Sequence, residues 1–206
     1  MSSDNSSSEN SQVPSLFAET LLKSRRKFLR SAGVATFSAT AVAMLAGYSS
    51  KAAFAGESMD EKIQQDIRIL GTAISAEREA VAAYQLGAES GLLSAGILKV
   101  ALQFQGHHKA HIEALSGAVK NLGGKLDLAD EKYNFPVEKL KSEKDVLEFA
   151  AGLERGAVTA YAGAIPAFDN RDLSAAAASI LADEAMHWAV LRNALKLDPV
   201  PGAFFS

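Results

Sequence analysis

Apolar residues recur in alternating steps of four and three along four stretches of the chain, which is the spacing of the buried seam of a packed helix. In the first stretch this seam consists of Ile63, Ile67, Leu70, Ile74, Val81 and Tyr84. The pattern predicts four helices. The first, second and fourth span residues 60–89, 95–122 and 172–197, and the third starts at Ser142. The link before Ser142 shows no alternation typical of a β-strand, so the sequence predicts an all-α domain.

The connections between these stretches differ in length, and this difference predicts the topology. Gly91 and Ser94 mark a short turn between the first two helices, and Asp169 with Asn170 marks another between the last two. The link over residues 124–142 is long enough to travel the length of a bundle. We therefore expect two antiparallel helical hairpins joined by one long crossover, with the second and third helices parallel.

Boundary residues support these helix ends. Ser94 and Ser142 are placed as N-caps of the second and third helices. Gly123-Gly124 is expected to end the second helix, and Pro199 and Pro201 are expected to stop the fourth.

The two predicted hairpins resemble each other in sequence. Residues 77–84, EREAVAAY, share Glu, Arg, Ala, Val, Ala and Tyr with residues 154–161, ERGAVTAY. Further along, residues 108–111, HKAH, correspond to residues 184–187, EAMH. The offset from the first glutamate to the last histidine is 34 residues in one copy and 33 in the other. The chain therefore looks like two copies of one hairpin.

Six polar residues fill seam positions that apolar residues leave vacant. All of them fall near the middle of their helices, so they are expected to meet at one level of the bundle. A buried carboxylate alone is strongly unfavourable, and a single seam histidine is more simply a satisfied core residue. Six such residues in register predict a site for divalent metal. The candidate ligands are Glu77, His108, His111, Glu154, Glu184 and His187.

This set resembles the di-iron or di-manganese centre of ferritin-like proteins of the rubrerythrin and bacterioferritin type. There, one Glu from each of two helices joins a Glu-x-x-His pair from each of the other two. Glu77 and Glu154 match the single glutamates, Glu184 and His187 match one pair, and His111 matches the second histidine. The resemblance covers residues 60–196. It implies a ferritin-like antiparallel four-helix bundle with two iron or manganese ions, and redox chemistry such as iron oxidation, peroxide removal or oxidative-stress protection.

One position departs from that pattern, because His108 stands where the resemblance calls for a glutamate. A shifted pair of Gln105 and His108 is rejected, since Gln105 falls off the seam. The change removes one carboxylate, and imidazole widens the choice of metal toward zinc or copper. The sequence leaves open a dinuclear site, a mononuclear site, and a structural or interaction protein whose degenerate site has no turnover.

Four aromatic residues accompany these ligands. Tyr84 and Tyr161 lie seven residues after the two single glutamates, on the same helix faces. They either hydrogen-bond the ligands, serve as redox residues, or fill the core with satisfied hydroxyl groups. Trp188 and His107 fall off the seam. We expect Trp188 to pack between helices and His107 to lie at the surface.

Composition and charge narrow the function classes further. The chain has no cysteine, which excludes disulfides, cysteine-type zinc sites, iron–sulfur clusters and thiol catalysis. Residues 1–55 carry six basic and three acidic residues, and the remainder carries 15 basic and 21 acidic residues. A domain that acidic, without a basic cluster, is a poor nucleic-acid binder. The expected partners are metal ions; nothing indicates a storage cage, and a homodimer is compatible with the sequence.

The N-terminal residues have the order of an export signal. Residues 24–30 read SRRKFLR, a mildly apolar stretch follows over residues 31–48, and Ala53-Phe54-Ala55 offers a cleavage site. The paired arginines followed by Phe and Leu resemble a twin-arginine signal, which implies the twin-arginine export machinery as a partner and a periplasmic location. The alternative is a membrane anchor, but the stretch is rich in Ser, Thr, Gly and Ala and is a poor permanent span. We expect a signal over residues 1–55, cleavage after Ala55, and a mature domain over residues 56–206.

Overall fold

The structure, a computed structural model, describes residues 58–126 and 132–205 of the chain. The predicted signal over residues 1–55 and its cleavage site lie outside the described residues, so that export remains a prediction. Within the described ranges the regular elements are helices and no strand occurs, which confirms the all-α fold class. None of these helices is long and apolar enough to cross a membrane.

Four long helices and two short 3-10 helices make up the described chain. The first two long helices begin and end within one residue of their predicted bounds, and both serines proposed as N-caps occupy that position. The Ser142 hydroxyl accepts from the Asp145 amide, whereas the Ser94 side chain makes no capping bond. The long helices are α1 (Met59–Glu89), α2 (Ala95–Asn121), α3 (Glu143–Ala164) and α4 (Arg171–Ala194), and the 3-10 helices are Val137–Lys139 and Ile165–Ala167.

The end of α4 differs from the prediction. The helix stops at Ala194, three residues before the predicted end and well before Pro199. Lys196 adopts a left-handed conformation with φ of 60°, and the amides of Lys196 and Leu197 donate to the carbonyls of Asn193 and Arg192 at 2.9 Å each. These two bonds satisfy the last helical carbonyls and turn the chain away, so a left-handed cap, not a proline, ends the helix.

The glycine pair after α2 ends that helix as predicted. Gly123 has φ of 75°, which a residue without a Cβ adopts at no steric cost, and the Gly124 amide donates to the Val119 carbonyl at 2.9 Å. Gly124 also lies tightly against the bundle, since a Cβ there would stand 2.8 Å from Val119 Cγ1 and 3.1 Å from Ile67 Cδ1. The pair therefore combines a turn with a close backbone approach.

Contacts between helix ends confirm the predicted topology. The Ser94 amide at the start of α2 donates to Glu143 at the start of α3, so these two helices begin at the same end of the bundle and run parallel. At the opposite end, Asp66 in α1 accepts from the amides of Asp169 and Asn170 in the turn between α3 and α4. The chain thus forms two antiparallel hairpins joined by one long crossover.

Two apolar clusters fill the bundle above and below one polar level. The first consists of Leu70, Ala73, Ile74, Leu115, Val119, Tyr161, Ala177 and Ile180. The second consists of Tyr84, Ala101, Phe104, Leu147, Ala150, Ala151 and Leu191. On every helix the polar residues predicted as ligands fall between the members of these two clusters. Close packing on both sides therefore fixes the height at which those polar side chains face one another.

Candidate metal centre

All six predicted ligands lie at the middle level of the bundle, and all four helices contribute. Glu77 comes from α1, His108 and His111 from α2, Glu154 from α3, and Glu184 with His187 from α4. His108, Glu154, Glu184 and His187 are exposed to solvent by 1 % or less, and Glu77 by 3 %. We call this set of six residues the polar layer. His111 is partly buried, with its side chain 12 % exposed, and the burial of the other five agrees with the seam positions read from the sequence.

The polar layer divides into two groups of potential ligands that overlap. One donor atom from each member of a group lies within 4.8 Å of the donor atoms of the others. The first group contains Glu77 and His111, the second contains Glu154 and His187, and both contain His108 and Glu184. The two groups mirror the sequence repeat, because each joins a glutamate from the first helix of a hairpin to a histidine from the second helix of the same hairpin.

Two tyrosines orient the single glutamates by crossing between the repeats. Tyr84 of α1 donates its hydroxyl to Glu154 Oε1 of α3, and Tyr161 of α3 donates to Glu77 Oε1 of α1 at 2.6 Å. Burial is the main cause that raises the pKa of both tyrosines well above 10, so their hydroxyls stay protonated and keep donating. Each tyrosine therefore fixes one oxygen of its partner. The other oxygen, Oε2, lies 2.8 Å from His108 Nδ1 on Glu77 and has no hydrogen-bond partner on Glu154.

The second group holds buried polar atoms that the protein does not satisfy. Among the described residues, the buried side-chain atoms without a hydrogen-bond partner are Glu154 Oε2, both carboxylate oxygens of Glu184, and His187 Nδ1. The Glu184 oxygens lie 3.1 Å from His111 Nδ1 and 3.4 Å from His187 Nδ1, near enough for attraction but without hydrogen-bond geometry. Unpaired buried oxygens and nitrogens of this kind are costly, and a cation between them would satisfy all four. The donor set therefore fits a divalent metal.

Ionisation in the layer follows from its mixture of carboxylates and imidazoles. Burial alone would lower the pKa of His111 and His187, but the glutamate carboxylates close to both rings outweigh burial and raise both pKa values to about 9. Burial likewise would raise the pKa of Glu77 and Glu154, yet hydrogen bonds from the histidines lower the Glu77 value and hold that of Glu154 well below its usual range. Without metal, the layer is thus an array of imidazolium and carboxylate ions.

Glu184 behaves differently from the other two glutamates. Burial is the largest cause that raises its pKa from 4.5 to about 7, and the neighbouring Glu154 carboxylate adds to the rise. His111 and His187 lower the value without cancelling these causes. Glu184 is therefore the carboxylate whose charge the protein alone compensates least.

His108 spans the two groups. Its Nδ1 lies 2.8 Å from Glu77 Oε2 and its Nε2 lies 3.4 Å from Glu154 Oε1. Burial would lower its pKa, but the bonds to Glu154 and Glu77 hold the value well above 6.5. As an imidazolium it donates to both glutamates, so the residue that replaces a carboxylate also neutralises part of the negative charge of the layer.

Two residues that lie off the seam, Gln105 and Trp188, are placed as the sequence predicted. Gln105 is buried but turned away, and its amide donates to the Val81 carbonyl at 3.1 Å and to Gln85 Oε1 at 2.8 Å. It belongs to neither ligand group, as expected. Trp188 packs against the second apolar cluster, also as expected.

The prediction that His107 is a surface residue was incomplete. The side chain is 39 % exposed, but its ring turns inward and its Nδ1 lies 2.9 Å from His187 Nε2 and 3.0 Å from Asp183 Oδ2. The sequence reading also missed Asp183, which lies 3.3 Å from the Nε2 atoms of both His111 and His187. Its spacing of four residues before His187 on one helix was the signal that could have revealed it.

Comparison with known proteins agrees with this architecture. The family model described as ferritin-like domain matches residues 65–197. The structure of the conserved hypothetical protein rv2844 from Mycobacterium tuberculosis superposes with a TM-score of 0.60 at 19 % identity, over 69 % of this chain and 99 % of that one. A ferritin-like, diiron-carboxylate protein from Bacillus anthracis strain Ames gives a TM-score of 0.57 at 18 % identity, over 68 % and 99 %. At such identities these two likenesses concern the fold alone. No curated protein sequence matches this chain significantly.

Proposed function

Since this chain belongs to the ferritin-like domain family, we propose that it is a metalloprotein whose polar layer holds two iron or manganese ions for redox chemistry. The observation that carries the proposal is the pair of overlapping ligand groups, Glu77-His111 and Glu154-His187, joined by the shared His108 and Glu184. A structural neighbour of the same fold is described as a diiron-carboxylate protein, which supports this choice of metal.

Each member of the polar layer has a place in this proposal. Glu77 and His111 would hold one ion, Glu154 and His187 the other, and Glu184 would lie between them, because its two oxygens face the two histidines separately. His108 would serve as a further ligand or as a proton carrier between the glutamates that it touches.

The protein's own contribution is to orient ligands and to keep the site dry. Tyr84 and Tyr161 hold one oxygen of Glu154 and Glu77, so that the other oxygen keeps its direction whether or not an ion is bound. The apolar clusters on either side exclude water, which strengthens electrostatic interactions within the layer. Bound iron or manganese supplies electron exchange with dioxygen or peroxide. The proposed activities are iron oxidation, peroxide removal and oxidative-stress protection.

Export by the twin-arginine route is a further part of the proposal. It is supported by the order of charged, apolar and small residues in residues 24–55 and places the protein in the periplasm. Replacing Arg25 and Arg26 together with lysine should abolish export, and replacing Lys23 with arginine should not. Equal export of both variants, measured by cell fractionation and blotting, would remove this part.

A second candidate is a structural or interaction protein with a mononuclear or degenerate site, and one observation favours it. His108 replaces a carboxylate, and its imidazolium already donates to Glu77 and Glu154. A positive charge between those glutamates repels an incoming cation. In this candidate the layer takes a single zinc or copper ion, or none, and has no turnover.

Metal content separates the two candidates. The exported protein should be analysed by mass spectrometry beside Glu154→Ala, His187→Ala and the matched control Glu148→Ala, whose side chain is exposed on α3. About two iron or manganese ions per chain, lost in the first two variants and kept in the control, would support the dinuclear proposal. One zinc or copper ion would favour the second candidate. A protein that takes up no metal, even after reconstitution, is structural.

A further inference from the structure

A third group of donor atoms lies beside the polar layer, formed by His107 of α2 with Asp183 and His187 of α4. His107 Nδ1 lies 3.0 Å from Asp183 Oδ2 and 2.9 Å from His187 Nε2, and the last two atoms are 3.3 Å apart. Ligand atoms around one tetrahedral ion with bonds of about 2.0 Å are separated by about 3.3 Å. These three residues, which we call the outer group, are thus spaced to share one divalent cation and leave one position open.

Solvent exposure falls in steps from the outer group to the polar layer. The side chain of His107 is 39 % exposed, that of Asp183 is 21 % exposed, and that of His187 is 2 % exposed. Glu184 behind them is fully buried. Asp183 supplies a carboxylate at the partly exposed level, so a cation that leaves water meets a negative charge before it reaches the buried ligands.

His187 and His111 each direct one ring nitrogen toward Glu184 in the polar layer and the other toward Asp183 in the outer group. The Nδ1 atom of His187 lies 3.4 Å from Glu184 Oε2 in the polar layer, and its Nε2 atom belongs to the outer group. His111 is placed in the same way, with Nδ1 3.1 Å from Glu184 Oε1 and Nε2 3.3 Å from Asp183 Oδ2. A neutral imidazole offers one lone pair, so His187 holds a cation on one side or on the other, but not on both.

We propose that His107, Asp183 and His187 form a capture site for a divalent cation on its way into the polar layer. The cation here is cargo, first held at Nε2 of His187 and then released inward when the same ring presents Nδ1 to the buried site. This inference rests on the proposed function, because it requires that the polar layer accept metal. It predicts that the outer group governs the rate of loading, whereas the polar layer governs how much metal is held at equilibrium.

The test follows Co²⁺ uptake by the metal-free full-length chain, with stopped-flow visible absorbance for the rate and mass spectrometry after desalting for the amount retained. His107→Ala removes an outer ligand that contacts none of the glutamates. Gln103→Ala, an exposed change one turn earlier on α2, is the matched control. We expect His107→Ala to load roughly tenfold more slowly, since local attraction of an ion at the mouth of a site typically raises association rates by about 10- to 1,000-fold. The variant should retain as much Co²⁺ as the wild type and the control, because all six residues of the polar layer are unchanged.

Three results would contradict the capture site, and they differ in what they say about the proposed function. If His107→Ala loads as fast as the wild type while the wild type retains Co²⁺, the capture site is wrong and the proposed function stands. If Asp183→Asn slows loading and His107→Ala does not, Asp183 merely orients His111 and His187, and the capture site is again wrong. If the wild type retains no Co²⁺, both the capture site and the proposed function fail.

Discussion

Replacing Glu184 with glutamine should stabilise the metal-free protein and weaken its response to metal. Glu184 is fully buried, and neither of its carboxylate oxygens has a hydrogen-bond partner. Burial raises its pKa from 4.5 to about 7, so at pH 8 the folded protein holds an ionised group that it would hold more easily as the neutral acid. Glutamine has the same shape without the charge.

The size of the effect follows from the pKa. A rise from 4.5 to about 7 corresponds to about 3 kcal/mol of lost stability above pH 7, at about 1.4 kcal/mol for each pKa unit. That shift already contains the favourable contacts with His111 and His187. Because the glutamine amide also remains buried, we expect a gain of about 1–3 kcal/mol, or roughly 3–9 °C in the unfolding temperature of a domain of this size.

Thermal unfolding of the metal-free protein at pH 8, followed by circular dichroism, measures this gain. Glu113→Gln, the same change at an exposed position of α2, is the control and should leave the unfolding temperature unchanged. Addition of Mn²⁺ should reverse the order, because a ligand at 100 times its Kd stabilises the wild type by about 2.7 kcal/mol and the variant has lost a central ligand. A metal-free Glu184→Gln protein no more stable than the wild type would refute the reasoning.

Three further outcomes follow from the structure. Tyr161→Phe leaves Glu77 Oε1 buried without its donor, so urea unfolding should show a loss of about 1–3 kcal/mol, and an unchanged midpoint would contradict the role of the tyrosine. Gly124→Ala brings a Cβ within 2.8 Å of Val119 Cγ1 and should lower the free energy of unfolding by about 1–3 kcal/mol. Gly106→Ala, whose Cβ would meet no atom within 4 Å, should not lower it, and equal behaviour of the two variants would argue against close packing at Gly124. In metal-free protein the raised pKa values of about 9 for His111 and His187 give stability that is complete below pH 6.5 and lost as the pH rises to 9, whereas the loss from Glu184, with a pKa of about 7, falls between pH 4.5 and 7; the unfolding temperature should therefore fall between pH 6.5 and 9, and a rise over that window would be inconsistent with the histidine shifts.

Most of the fold could be predicted because helical periodicity and connection length are local properties of the sequence. The seam over residues 63–84 specifies a buried stripe, and the glycine pair at 123–124 specifies an end. The end of α4 could not be predicted in this way. Lys196 has no intrinsic preference for a left-handed conformation, and only the two hydrogen bonds to Asn193 and Arg192 show that the helix turns there.

The members of the polar layer could be predicted from the sequence for the same reason. A repeated hairpin places equivalent positions at equivalent heights, so Glu77 and Glu154 had to approach the same level as the histidines. The sequence did not predict which groups the hydroxyls of Tyr84 and Tyr161 hydrogen-bond. The crossed pairing of each tyrosine with the other repeat's glutamate depends on the distance between α1 and α3, which periodicity does not contain.

The sequence by itself thus determined which residues enter the bundle and at what height, because those properties follow from helical spacing along one chain. Only the tertiary structure decided which atoms of neighbouring helices come within 3 Å of one another. His107 shows the difference: its position off the seam indicated a surface residue, yet the packing of α2 against α4 turns its ring onto His187 and Asp183. The direction of a side chain at the edge of a seam is set by the helix that packs beside it, and that helix is distant in sequence.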